Sequence, residues 1–116
     1  MSNINRCVLV GRLGRQPELR VTPNGVSVAN FSIAVDRRPN KDGSKETDWI
    51  DIVVFSQTAE ACSKYLDKGS MVGIEGRLQV REWEAKDGSG KRRTTEVIAD
   101  NVQFLTPKGE RQGEGE

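Results

Sequence analysis

Two tryptophans and a phenylalanine occupy positions where strand alternation turns them away from a core. In segment 48–55 (DWIDIVVF), Ile50, Ile52 and Val54 share one parity, and Trp49, Asp51, Val53 and Phe55 share the other. Successive side chains on a strand point to opposite faces, so the aliphatic set faces inward and the set containing a carboxylate faces out. In segment 71–83 (MVGIEGRLQVREW), Val72, Ile74, Leu78 and Val80 form the inward set; Met71, Glu75, Arg77, Gln79, Arg81 and Trp83 form the outward one. An aromatic ring left in water is a flat apolar platform, and a nucleobase stacks on one with a gain of roughly 1–3 kcal/mol, whatever the base. Arginines beside such rings neutralise phosphates and stack as well. Taken singly, each ring would serve equally well under a loop or at a subunit contact. Trp49, Phe55 and Trp83 together, with Arg77 and Arg81 in line, point to a face that binds stacked bases. Phe31 and Phe104 share parity with aliphatic neighbours and are expected in the core, and Tyr65 is expected to pack.

Other chemistry is poorly represented. The chain has no histidine, which removes Ser–His and Cys–His nucleophiles, His-ligated zinc and the commonest general base near neutral pH. Cys7 and Cys62 have no metal-binding spacing and read as small buried hydrophobes in a reducing compartment. Gly11-Arg12-Leu13-Gly14 matches neither phosphate-cradling glycine motif. Asp48 and Asp51 fall on opposite parities, which argues against a shared acid–base or metal role. Lys64 and Lys68 lie one helical turn apart and read as a solvated face. No enzyme, cofactor or metal is expected.

The elements that position the rings follow from punctuation. Pro23-Asn24-Gly25, Asp42-Gly43-Ser44 and Asp87-Gly88-Ser89-Gly90 are turn signals. Strands are predicted over 5–13, 26–36, 48–55, 71–83 and 94–105, and Gly11, Gly73 and Gly76 within them suggest bulges or bends. Residues 58–68 place Ala59, Cys62 and Leu66 on one helical face, with Gly69 following as a C-terminal signal. An all-β chain of five strands, with one α-helix between the third and fourth, matches the five-stranded OB-fold barrel. Its longest hairpin would turn at 85–93. At 116 residues the chain is one domain: residues 1–106 form the barrel. Residues 107–116 (PKGERQGEGE) have no apolar side chain and are expected to be a disordered tail or the start of a linker. No run of apolar residues is long enough to span a membrane, and the first twenty residues lack the apolar stretch of a secretory signal.

Net charge is +1, but it is unevenly spread. Residues 1–20 carry Arg6, Arg12, Arg15 and Arg20 against Glu18; residues 81–93 carry five cations against three carboxylates. Basic stripes therefore sit within a near-neutral total. The charged loop 36–46, with Arg37 and Arg38, is a weaker signal, because solvated turns are commonly charged. The first predicted strand is apolar on both faces, with Cys7, Leu9 and Leu13 against Val8 and Val10. An edge strand of that kind invites pairing, so self-association is expected.

These residues resemble a known family, the single-stranded DNA-binding proteins of bacterial type. The likeness spans about 3–105. Its carriers are Asn5-Arg6-Cys7-Val8-Leu9-Val10-Gly11-Arg12-Leu13-Gly14, Pro17-Glu18-Leu19-Arg20, Pro23-Asn24-Gly25, Val28-Ala29-Asn30-Phe31 and Thr47-Asp48-Trp49. Tyr65-Leu66-Asp67-Lys68-Gly69-Ser70, Ile74-Glu75-Gly76-Arg77-Leu78 and Thr94-Thr95-Glu96-Val97 complete it. The resemblance implies an OB-fold homotetramer with single-stranded DNA wrapped around it and bases stacked on Trp49, Phe55 and Trp83. It implies phosphate contacts from Arg6, Arg12, Arg20, Lys68, Arg77 and Arg81; the charged loops add Arg37, Arg38, Lys91 and Arg92. It also implies work in replication, recombination and repair, in the cytoplasm at the nucleoid. Two departures stand out. The stretch Asp36-Arg37-Arg38-Pro39 lacks an aromatic that many members carry, and Asp51, Asp67 and Glu82 replace basic positions. The sequence ends at Gly115-Glu116 without the acidic tip that recruits replication and repair proteins in the family, so either a shortened chain or a short paralogue is expected. Two other readings fit the residues alone: an OB-fold scaffold whose aromatic face is covered by a partner chain, and an RNA-binding barrel.

Overall fold

A computed structural model describes residues 3–106. The strands are β1 (Cys7–Leu13), β2 (Glu18–Val21), β3 (Ser27–Asp36), β4 (Thr47–Phe55), β5 (Met71–Glu84) and β6 (Lys91–Phe104); α1 (Ser56–Tyr65) lies between β4 and β5. The sheet order is β1-β5-β6-β4-β3-β2, and a short β1–β3 pairing at Arg12↔Ala34 and Leu13↔Ile33 closes the five long strands into a barrel. β4 and β6 pair in parallel through Asp51–Val53 and Glu96–Ile98. This is the expected OB-fold.

Period-two alternation fills the barrel. Ile33, Ile52, Val54, Val72, Ile74 and Val97 are fully buried, and Leu13 and Phe31 join them. Phe104 packs against this cluster, and its ring lies 6.2 Å from that of Tyr65. One side of α1 joins the same core through Ala59 and Cys62, followed by Leu66 just beyond the helix. Both cysteines are free thiols, and burial pushes the Cys62 thiol up to about 11, so it behaves as a small apolar side chain. No helix among the described residues is long and apolar enough to cross a membrane.

Four features differ from the sequence expectation. The strand β2 was not anticipated: ELRV is short, charged and exposed throughout, and only its pairing with β3 makes it a strand. The helix ends at Tyr65 rather than 68, because Leu66 is already extended; Gly69, at φ +89°, serves the turn that follows. Val53, assigned to the outer face, is buried there in a small second cluster with Val28 and Ile98. Leu78 and Val80, assigned to the core, are about half exposed, at 48% and 52%. Their parity is inward, but β5 and β6 run beyond the barrel as a two-stranded arm, and little lies over that end. The tail 107–116 lies outside the described residues.

The arm departs from the barrel at a bulge. Glu75 pairs with Asn101 and Gly76 with Ala99, which leaves Asp100 as the extra residue on β6. A Cβ on Gly76 would collide with the backbone of Ile98 and Ala99, so the strands can approach only at glycine. Gly76→Ala is therefore expected to destabilise the fold by about 1–3 kcal/mol. Urea denaturation measures it, and an unchanged midpoint would show that the bulge accommodates a side chain.

Candidate nucleic-acid interface

Directly paired residues on neighbouring strands share a face, so the register maps the outer surface row by row. One row is Arg12, Ala34 and Trp49. The next is Ser32, Asp51, Glu96 and Gln79; then come Asn30, Val53, Ile98 and Arg77. A fourth is Arg20, Val28 and Phe55. On the arm, Arg81 pairs with Thr94 and Trp83 with Arg92. One continuous face thus carries Trp49, Phe55 and Trp83 together with Arg12, Arg20, Arg77, Arg81 and Arg92. The three rings are 62%, 43% and 43% exposed, respectively. They are spread over the face with cations between them, as a strand of bases and phosphates requires.

Each ring is held differently. Trp49 lies against Gly14, where a Cβ would come within 2.5 Å of its six-membered ring. Sequence reasoning missed this role for Gly14, which only the chain path reveals. Phe55 ends β4 immediately before Ser56, whose φ of 62° turns the chain into α1. The Arg81 guanidinium sits 5.4 Å from the Trp83 ring centre, a cation–π contact.

The cations divide into paired and unpaired groups. Asp100, the bulge residue, lies 3.9 Å from Arg6 and 3.6 Å from Arg77. Arg81 lies 3.5 Å from Glu96, whose side chain is buried. Arg37 is gripped by Glu46 and donates to both oxygens of Asp48. Among the described residues no carboxylate pairs with Arg12, Arg20, Arg38, Lys68, Lys91 or Arg92. Arg12 donates to the Gly69 carbonyl, which places Lys68 nearby, and Arg92 donates to Ser89 Oγ. Lys91 stands opposite Glu84 at the base of the turn. Arg37 and Arg38 lie in the loop after β3, apart from the rows above.

Between β2 and β6 the face sinks into a cleft of about 310 Å³. Asn30, Ser32, Asp51, Thr94 and Glu96 line it, with Arg20 and Arg81 among its cations. Ser32 Oγ donates to Asp51 at 2.8 Å. No cluster of acidic, histidine or cysteine side chains among the described residues could hold a metal ion.

The comparisons with known proteins agree with this architecture. Residues 4–105 match the model of the single-strand binding protein family. The chain belongs to that family. A single-stranded DNA-binding protein of Oceanobacillus iheyensis is 53% identical over 112 residues, covering 96% of this chain and 69% of the relative. Single-stranded DNA-binding protein 2 of Staphylococcus aureus Mu50 is 55% identical over 106 residues, covering 90% and 74%. In this family member, Trp49 and the flanking barrel strands fall well inside the matched region, as does the whole β5–β6 arm.

Two outcomes are expected. The hydrogen bond from Arg37 holds the Asp48 carboxyl below its ordinary value of 3.8. A lowered pKa means the contact is intact above the ordinary carboxylate range and is lost only as pH falls through the depressed value. An NMR titration should place the Asp48 midpoint below 3.8, and Arg37→Ala should return it there. Gly14→Ala should displace the Trp49 ring. Its tryptophan emission should shift while the unfolding midpoint stays within a few degrees; unchanged emission would show that the ring does not rest on Gly14.

Proposed function

We propose that the protein binds single-stranded DNA without a sequence code, by stacking bases on Trp49, Phe55 and Trp83 and neutralising phosphates with the cations around them. The observation that carries this reading is the single outer face on which register and exposure unite the three rings with Arg12, Arg20, Arg77, Arg81 and Arg92. The names of its relatives support it. Large rings left in water are uncompensated unless a ligand covers them. Arg6, Arg37, Arg38, Lys68 and Lys91 complete the proposed phosphate contacts. Arg6 and Arg77 share one carboxylate in exposed pairs, which are weak and readily exchanged for a phosphate; Arg37, held by two carboxylates, is the least available.

Self-association as a homotetramer is part of this reading. Val8 and Val10 point outward from β1 and are 68% and 54% exposed, an apolar strip that a second copy would cover. The proposed setting is DNA replication, recombination and repair, at the nucleoid in the cytoplasm. Replication and repair proteins are partners where an acidic tail is present.

Titration with oligo-dT at low salt should quench tryptophan emission strongly, because a stacked base quenches the indole. Trp49→Ala and Trp83→Ala should each weaken binding by about 1–3 kcal/mol with the fold retained. Affinity should fall with salt at a slope of about −0.7 per phosphate neutralised. Unquenched emission, or a flat salt response, would remove the stacking face or the basic stripe from the mechanism. Light scattering should give four subunits, and a stable monomer would remove the assembly.

A further inference from the structure

The root of the β5–β6 arm is held by a part of the chain outside its two strands. β1 begins at Cys7, which pairs with Gly76, and continuing that register places Arg6 opposite Arg77 and Asn5 opposite Leu78. Main-chain pairing does not reach that far, but the Asn5 side chain supplies the two bonds of the missing rung. Its Nδ2 donates to the Leu78 carbonyl at 2.9 Å, and its Oδ1 accepts the Leu78 N–H at 2.8 Å. A carboxamide one methylene from the chain holds a donor and an acceptor side by side, as the backbone does. Aspartate has no donor, and glutamine is one carbon longer. A second tie lies close by: Arg6 is 3.9 Å from Asp100, the bulge residue on β6. Residues 5 and 6 thus reach both strands of the arm near the place where it leaves the barrel.

From this we infer that Asn5 is a positioning residue for DNA binding: it fixes the angle at which the arm leaves the barrel, and so sets where Trp83 stands relative to Trp49 and Phe55. The inference rests on the stacking reading above. β4 ends its pairing with β6 at Glu96, which faces Gln79. Leu78 is one rung before that point, and beyond it the two strands of the arm flank only each other. Trp83 lies five residues past Leu78, about 17 Å along an extended strand, so a tilt of about 10° at the root carries the ring about 3 Å. Stacking requires two flat faces in register and does not survive such a shift. The long side chains of Arg81 and Arg92 can follow their phosphates through it. Asn5 is itself exposed, so its two bonds contribute little to global stability. Their effect falls on the direction of the arm.

The test is Asn5→Ala, which removes both bonds, with oligo-dT affinity measured at a salt concentration where every variant binds. Affinity should fall by about three- to tenfold, while the subunit mass by light scattering and the thermal midpoint stay close to those of the unaltered protein. The Leu78 amide should exchange faster with solvent. The same substitution is then made in two backgrounds. In Trp49→Ala it should lower affinity by the same factor. In Trp83→Ala the factor should shrink to about twofold or less, because the arm has no ring left to misplace. Unaltered affinity, unaltered exchange at Leu78, or equal losses in the two backgrounds overturns the inference and leaves the stacking reading standing. A loss accompanied by a changed subunit mass or a large drop in midpoint does the same, since Asn5 would then act on assembly or stability. No binding of oligo-dT by the unaltered protein at low salt overturns both.

Discussion

Alternation along β4 couples the interior of this protein to its exterior. Ile50, Ile52 and Val54 commit Trp49, Asp51 and Phe55 to the opposite face, and no rotation of the strand can satisfy one set without exposing the other. The aliphatic set faces inward because the opposite orientation would bury the Asp51 carboxylate, and a charge taken out of water without a partner costs far more than leaving a ring exposed. The rings are thus held in place by the barrel core. Their solvent exposure is a consequence of good packing elsewhere, and it persists as long as the register does.

The same coupling makes the face rigid. Trp49 and Phe55 lie at the two ends of β4, which is paired along its length with β3. Gly14 adds a seat for the Trp49 ring. Trp83 is different: it rides near the end of an arm held by β5–β6 pairing and, at its base, by the Asn5 side chain hydrogen-bonded to the Leu78 backbone. A two-stranded ribbon beyond its barrel is less constrained than a closed sheet, so the third platform can adjust where the first two cannot.

Charge is arranged by the same geometry, with a different outcome. The near-neutral total conceals a face where several arginines already have carboxylate neighbours. Surface pairs of this kind contribute little to stability. They keep the cations ordered and lower the electrostatic attraction that free arginines would exert. Asp100 shows how local this is: it reaches Arg6 and Arg77 because the bulge places it between them.

Much of the protein was legible in its residues. Hydrophobic period, turn signals and one helical stretch were sufficient for five strands and a helix in the right order, and parity alone turned Trp49, Phe55 and Trp83 outward. These are local properties, determined by the chain's own alternation. The short strand β2, the exposure of Leu78 and Val80, the burial of Val53, the seat at Gly14 and the partners of each arginine were decided only by the tertiary structure. Each depends on which strands lie side by side, where a bulge shifts the register and where the sheet ends. Residues far apart in sequence set those contacts, and no pattern within a single segment encodes them.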